Sequence, residues 1–158
     1  MSNLRSQLSP EQRLQRATVG IVSNPRYTAL ASVLMIGKRT VMPGLPTAMT
    51  DGLNEYYGAE FIDSINDAEL RGVVIHETKH KMYRHLTIWQ HLAKQNADIA
   101  NIAMDYVINL EIIAENPDGF ATLPKGACLD DRFKGMDTQQ VFTLLMREAE
   151  EGGGGTGI

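Results

Sequence analysis

The chain has little cysteine, no long apolar run and no excess of basic residues, and each shortage narrows the classes of protein it can be. Cys128 is the single cysteine among 158 residues, so an internal disulfide is excluded and a reducing compartment is expected. The longest apolar run, near residues 29–36, falls well short of the roughly 18 residues that span a bilayer. The polar segment from Met1 to Leu14 lacks the apolar core of a secretory signal. These shortages predict a cytoplasmic protein that makes no membrane contact.

Basic side chains do not predominate, since the chain has 15 Lys and Arg and 19 Asp and Glu, for a net charge of -4. A basic surface that binds nucleic acid is therefore not expected. The hydrophobic share of 43% is ordinary for a globular protein, and the length suits one domain. We expect a single domain over residues 1–150, followed by a flexible glycine-rich tail over 151–158.

Helix signals recur along the chain. Capping boxes begin at Ser9, Asn66 and Asp137, and a helix start follows Asn24-Pro25. The predicted helices cover about 10–22, 26–36, 67 to at least 86 and perhaps 92, 97–114, and 138–150.

A short hairpin is predicted between the second and third of these helices. Thr47–Thr50 is one strand, Asp51-Gly52 the turn and Asn54–Tyr57 the partner, with a third strand left unplaced. The first strand is interpreted either as an edge that accepts an extended peptide or as an ordinary core strand. The expected fold class is α+β, mainly helical, with a small antiparallel sheet packed on the helix that begins at residue 67.

That helix contains the sequence His76-Glu77-Thr78-Lys79-His80, an HExxH motif. Residues four apart lie on one face of a helix, so both imidazoles can bind the same metal ion, with Glu77 placed as a general base. The alternative is that the motif arose by chance on a solvent-exposed helix, with histidines that bind no metal. The apolar run over 70–75 argues against that alternative, because it predicts a buried helix.

A catalytic zinc usually has a third protein ligand. On the next helix, Asp98, Asn101, Asp105 and Asn109 form a polar stripe within an apolar sequence. Buried carboxylates pair with cations or bind metals, so Asp105 is the predicted third ligand. The alternative is that Asp105 orients a histidine, with His85 or water completing the metal shell.

Several other side chains are interpreted less directly. His85 and Tyr106 are candidate accessory groups, with His85 expected to be buried near the site and Tyr106 placed to donate to an oxyanion. Tyr83 is expected to pack in the core. Lys79 and Lys81 are expected to be solvated.

The ordered set of motifs resembles a bacterial and phage family known as the "putative metallopeptidase" domain, often followed by a von Willebrand factor A-like domain. The similar segments are Thr47–Gly52, the HExxH helix, Asn101–Asn109 and the later 123–145 region, within about 25–147. The resemblance implies a zincin-like fold, zinc at His76, His80 and Asp105, and, for a single-domain phage form, a place in the host cytoplasm.

Two functions follow as hypotheses. The first is a zinc-dependent metallopeptidase acting on a peptide or protein substrate, with one Zn²⁺ per chain. The second is an interaction module that a metal stabilises, in which protein fills the fourth coordination position. A metal-free fold with relic ligands is a third reading, and insensitivity to a chelator would identify it.

Overall fold

The computed structural model of the chain describes residues 8–152, which form a mostly helical α+β fold. The predicted tail falls outside these residues, except for Glu151, which ends the last helix, and Gly152. The helices are α1 (Pro10–Val22), α2 (Thr28–Leu34), α3 (Ala59–Ser64), α4 (Asp67–Arg84), α5 (Thr87–Gln95), α6 (Ala97–Glu115) and α7 (Thr138–Glu151), with 3₁₀ turns at Pro25–Tyr27 and Asp131–Phe133. The strands are β1 (Arg39–Met42), β2 (Ala48–Thr50) and β3 (Glu55–Gly58).

The helix starts follow the capping signals. Ser9, Asn66 and Asp137 each accept a hydrogen bond from the backbone three residues on, and the Gln or Glu there bonds back to the cap. These reciprocal bonds satisfy amides that a helix start otherwise leaves unpaired. The predicted bounds of α1 are confirmed, and those of α6 and α7 are right to within one residue.

The sheet is mixed, so the prediction of a purely antiparallel sheet is wrong. β3 lies in the centre, antiparallel to β2 as predicted and parallel to β1 on its other side. The strand left unplaced is β1, which begins at Arg39 opposite Glu55. It escaped prediction because four residues before a Pro-Gly loop carry no period-two pattern long enough to read. β2 is an edge strand.

The predicted long helix through residue 86 is also wrong, because α4 ends at Arg84 and α5 starts at Thr87. The last turn tightens, with the Leu86 amide donating to the Tyr83 carbonyl at 3.0 Å. The Arg84 guanidinium donates to the Thr50 carbonyl at 2.9 Å and lies over the Trp89 ring, 5.4 Å from its centroid. Contacts between distant segments therefore set this break, and no cap residue marks it in the sequence.

Helix α4 is the centre of the fold, in contact with α1, α2, α6 and β2. Its residues Leu70, Val74 and Ile75 are fully buried in the larger hydrophobic cluster. A second apolar cluster joins α5, α6 and α7 around Phe133 and Phe142. Among residues 8–152, no helix combines the length and hydropathy needed to cross a bilayer.

Candidate metal centre

The histidines of the motif lie together where the apolar half of α4 ends. Their ring centroids are 4.7 Å apart, as expected for residues one helical turn apart. His80 is buried and His76 is partly exposed, with 18% of its side chain accessible. The pair therefore faces a partly open space from a rigid, buried helix.

Asp105 reaches the same point from α6. Its Oδ1 lies 3.1 Å from Nε2 of His76 and 2.7 Å from Nε2 of His80. One ligand atom from each of the three side chains lies within 4.8 Å of the others. Across residues 8–152, no other three His, Cys, Asp or Glu side chains come together in this way. The polar stripe of α6 thus brings its central carboxylate to both histidines.

Asn109, one turn further along α6, orients the His76 ring. Its side-chain amide donates to the Cys128 carbonyl at 2.9 Å, which fixes Oδ1 as the atom 2.7 Å from Nδ1 of His76. Oδ1 can only accept, so Nδ1 must carry the hydrogen. Nε2 donates to Asp105 when the ring is protonated, and loss of that proton would leave an Nε2 lone pair on the side where a cation would bind.

Burial and Asp105 set the protonation of the cluster. Burial alone would raise the pKa of Asp105, but hydrogen bonds from His76 and His80 outweigh it and lower that pKa well below its usual range. Burial prevails at His80 and lowers its pKa. At His76 burial also opposes the charged form, but the bond to Asp105 and the charge of Glu77 raise the pKa. Asp105 is therefore an ionised carboxylate between two imidazoles, a set of groups that attracts a cation.

Glu77 lies beside the cluster and is 7% exposed. Burial raises the pKa of its carboxyl to about 7, with His76 opposing and Asp105 adding to the shift. A carboxyl with a pKa near neutrality can both accept and release a proton. A cavity of about 200 Å³ borders Glu77, His76, Asp105 and Asn109, so all four are accessible from one space.

Neither of the two accessory candidates lines this cavity. The expectation that His85 is buried near the site is wrong: the residue is exposed, and its Nε2 lies 3.1 Å from the Gly52 carbonyl oxygen. It is the C-cap of α4 and keeps helical backbone angles, so its position nine residues after His76 places it on the opposite face of the helix. Tyr106 packs against Phe133, with ring centroids 4.9 Å apart, and is not among the residues lining the cavity.

The expectation that Lys79 and Lys81 are solvated is also wrong. Lys79 is 6% exposed and binds Glu111 and Glu115 of α6, at 2.8 and 2.6 Å. Lys81 is 1% exposed and donates to Glu55 of β3 at 2.7 Å.

Sequence reasoning missed the burial of Glu55, although a signal was present. Side chains two apart on a strand share a face, so Glu55 faces inward if the aromatic Tyr57 does, and Tyr57 is buried in the structure. Glu55 therefore had to face inward, and its Oε1 accepts from the Tyr57 hydroxyl at 2.6 Å. The contact of Asn109 with the Cys128 carbonyl had no such signal, because a loop supplies the partner.

The residues present fit a small divalent cation. Tetrahedral ligands about 2.0–2.1 Å from zinc lie roughly 3.3 Å from one another. The distances of 3.1 and 2.7 Å from Asp105 Oδ1 to the two Nε2 atoms are slightly shorter, and all three ligand atoms lie within 4.8 Å of one another, so small side-chain movements would bring every pair to that spacing. Two imidazoles and a carboxylate are also donors that zinc accepts. Among the described residues, Nδ1 of His80 is buried without a hydrogen-bond partner, so its ring is held by packing and by Nε2 alone.

A mostly helical α+β fold with a His-His-Asp cluster beside a buried glutamate defines a candidate metal-dependent enzyme. A family model described as "Putative metallopeptidase domain" matches residues 9–158, and the chain belongs to that family. The family description points to a metal cofactor and to peptides or proteins as substrates. Comparisons with curated proteins and with solved structures gave no match.

Proposed function

We propose that the chain is a zinc-dependent metallopeptidase in which His76, His80 and Asp105 hold the ion and Glu77 is the general base. The observation that carries the proposal is the convergence of three ligand atoms within 4.8 Å, beside a cavity that His76, Asp105 and Glu77 line. A zinc ion bound there would lower the pKa of a water molecule and polarise a carbonyl group.

The other requirements of the reaction are the orientation of a ligand, a negative charge at the metal and the transfer of a proton, and each is assigned to a side chain. Asn109 holds His76 in the tautomer that leaves Nε2 free, and Asp105 supplies the negative charge. Glu77 takes a proton from the water that attacks the peptide carbonyl and passes it to the departing amine. Burial holds this carboxyl away from bulk water, so the proton stays between the reacting groups.

The cavity favours the enzyme over the metal-stabilised interaction module. A structural zinc site is closed by four protein ligands, whereas a catalytic site keeps one position open. Here two of the three candidate ligands, His76 and Asp105, border about 200 Å³ of space, and no fourth His, Cys, Asp or Glu among residues 8–152 joins the cluster.

The test separates metal binding from hydrolysis. Purified wild type should contain about one zinc per chain by elemental analysis and cleave members of a proteome-derived peptide library detected by mass spectrometry. Glu77→Gln should keep the zinc and lose about 10²–10⁴-fold in cleavage rate, because the base is removed and the ligands stay. Asp105→Ala should lose zinc and activity together.

The matched control is Glu60→Gln, which changes an exposed glutamate of α3 and should change neither zinc content nor cleavage rate. Stoichiometric zinc in a wild type that cleaves no peptide would overturn the proposal, as would full activity in Glu77→Gln.

A further inference from the structure

We propose that the cavity beside His76 and Glu77 is a specificity pocket that accepts one apolar side chain next to the scissile bond. This inference rests on the proposed peptidase function and adds the class of substrate. The substrate it predicts is a peptide with a medium-sized aliphatic or aromatic residue adjacent to the bond that is cleaved.

The chemistry of the cavity wall carries the first part of the argument. Away from the cluster most side chains on the wall are apolar, those of Ala48, Phe61, Val73, Leu123, Pro124 and Ala127, and the uncharged Thr47 and Cys128 also border the space. No lysine or arginine borders the space, and its two carboxylates are Glu77 and Asp105. An acidic substrate side chain would therefore be desolvated beside like charges without a cation to bind it. An apolar side chain would lose no hydrogen bonds on entering and would bury its surface.

The size of the cavity limits the occupant to one side chain. An apolar cavity of about 150 Å³ is enough to hold a benzene molecule. The cavity here measures about 200 Å³, and part of that space borders the reacting groups. A leucine, methionine or phenylalanine side chain is of the right size, whereas sites for whole drug-sized ligands usually start at about 300 Å³.

The wall is held at both ends, so the pocket exists before substrate binds. At one end the Thr122 amide donates to the Ala68 carbonyl of α4 at 3.1 Å. The loop lies so close to α4 that a Cβ added at Gly72 would be 1.8 Å from the Thr122 oxygen. At the other end the Cys128 carbonyl accepts from Asn109 of α6 at 2.9 Å. The residues between these anchors supply Leu123 and the rest of the loop wall. A pocket formed in advance discriminates by shape and does not require ordering of the loop.

The experiment varies one substrate position and narrows the pocket. Zinc-loaded wild type is given peptides that differ only at the residues flanking the scissile bond, and kcat/KM is measured for each. At one flanking position, Leu, Met or Phe should exceed Asp or Glu by about 10-fold or more. Ala127→Phe places a ring in the cavity and should move the preference towards Gly and Ala, reducing the ratio of the Phe to the Gly peptide by about 10-fold or more.

Two further variants control for misfolding of Ala127→Phe and for an effect of an added ring outside the cavity. Ala48→Leu narrows the same cavity from β2 and should shift the profile in the same direction, which covers the case in which Ala127→Phe does not fold. Ala114→Phe adds the same ring to an exposed position of α6, bordering a different cavity, and should leave the profile unchanged. A flat or acidic preference in wild type, or a profile that neither pocket variant moves, would overturn the pocket while leaving the peptidase proposal intact.

Binding distinguishes the two proposals if cleavage is absent. N-acetyl-phenylalaninamide and N-acetyl-aspartate amide are titrated into Glu77→Gln protein and followed by NMR. Binding of the first alone, lost in Glu77→Gln with Ala127→Phe, would support the pocket although the proposed hydrolysis had failed. Absence of both cleavage and binding would overturn the pocket and the function together.

Discussion

The His76 ring is held by the side-chain amide of Asn109, which therefore orients a candidate metal ligand. Asn109 is 3% exposed and links His76 to the Cys128 carbonyl, so it has no freedom to rotate. Asn101 lies two turns earlier on the same stripe, and its nearest partner is Arg84 at 3.5 Å. Asn109 therefore positions His76, whereas Asn101, on the same helix face, makes only a long contact with Arg84.

Asn109→Ala should weaken zinc binding by about 10–100-fold, since partners that orient a metal-bound histidine contribute that much to affinity. Asn109→Asp keeps an oxygen for Nδ1 of His76 and should retain more affinity than Asn109→Ala. Asn101→Ala is the control and should bind zinc as wild type does. Competition with a chromophoric chelator gives the dissociation constants. Equal affinities for Asn109→Ala and Asn101→Ala would contradict the positioning role.

Two lysines of α4 attach that helix to different neighbours. Lys81 bonds to Glu55 of β3, and both side chains are at most 1% exposed. Lys79 bonds to Glu111 and Glu115 of α6, whose side chains are each 34% exposed. Water can therefore compensate the glutamates of α6 when their partner is removed, whereas Glu55 has no access to solvent.

Lys81→Met should lower the free energy of unfolding by about 3 kcal/mol, because it removes the nearer cation from the buried carboxylate of Glu55 and leaves only Arg39, 3.4 Å away. Lys79→Met should lower the free energy of unfolding by about 1 kcal/mol or less, since its partners stay partly hydrated. Urea denaturation of the two variants measures the difference. Lys81→Met with Glu55→Gln should recover part of the loss. Similar losses for both single variants would argue against the difference in burial as the cause.

The sequence allowed prediction of elements whose causes are local. The capping box at Ser9 predicts the start of α1, and helical spacing predicts that His76 and His80 share a face. The polar stripe on an otherwise apolar helix singled out Asp105, the carboxylate at its centre, as a partner of the histidines, and its Oδ1 lies within 3.1 Å of both Nε2 atoms.

What the sequence did not reveal depends on distant partners. The end of α4 at Arg84 depends on the Thr50 carbonyl, 34 residues away. Burial of Lys81 depends on Glu55, and β1 depends on pairing with β3. Local propensity contains no record of such contacts, so a lysine in a helix is expected on the surface and a four-residue strand is read as loop.

Several polar side-chain contacts join α4 to α6 across the interface between these two helices, which we call the seam. Lys79 with its two glutamates, Asn109 with His76, and Asp105 with both histidines all cross it. The sheet is tied to the other side of α4 through Glu55. A metal ion held by His76, His80 and Asp105 would add a further link across this seam, so the site and the stability of the fold are coupled.

Zinc should therefore raise the thermal stability of the entire domain. A ligand that binds only the folded state stabilises it by about 2.7 kcal/mol at a free concentration 100 times its dissociation constant. For a domain of this size that corresponds to an increase in Tm of roughly 5–10 °C, reversed by a chelator. Asp105→Ala should show no zinc-dependent change, because one of the groups crossing the seam is gone. Differential scanning calorimetry with zinc, with EDTA and with zinc restored makes the measurement. A wild-type Tm that is the same in all three conditions would mean that no ion links α4 to α6.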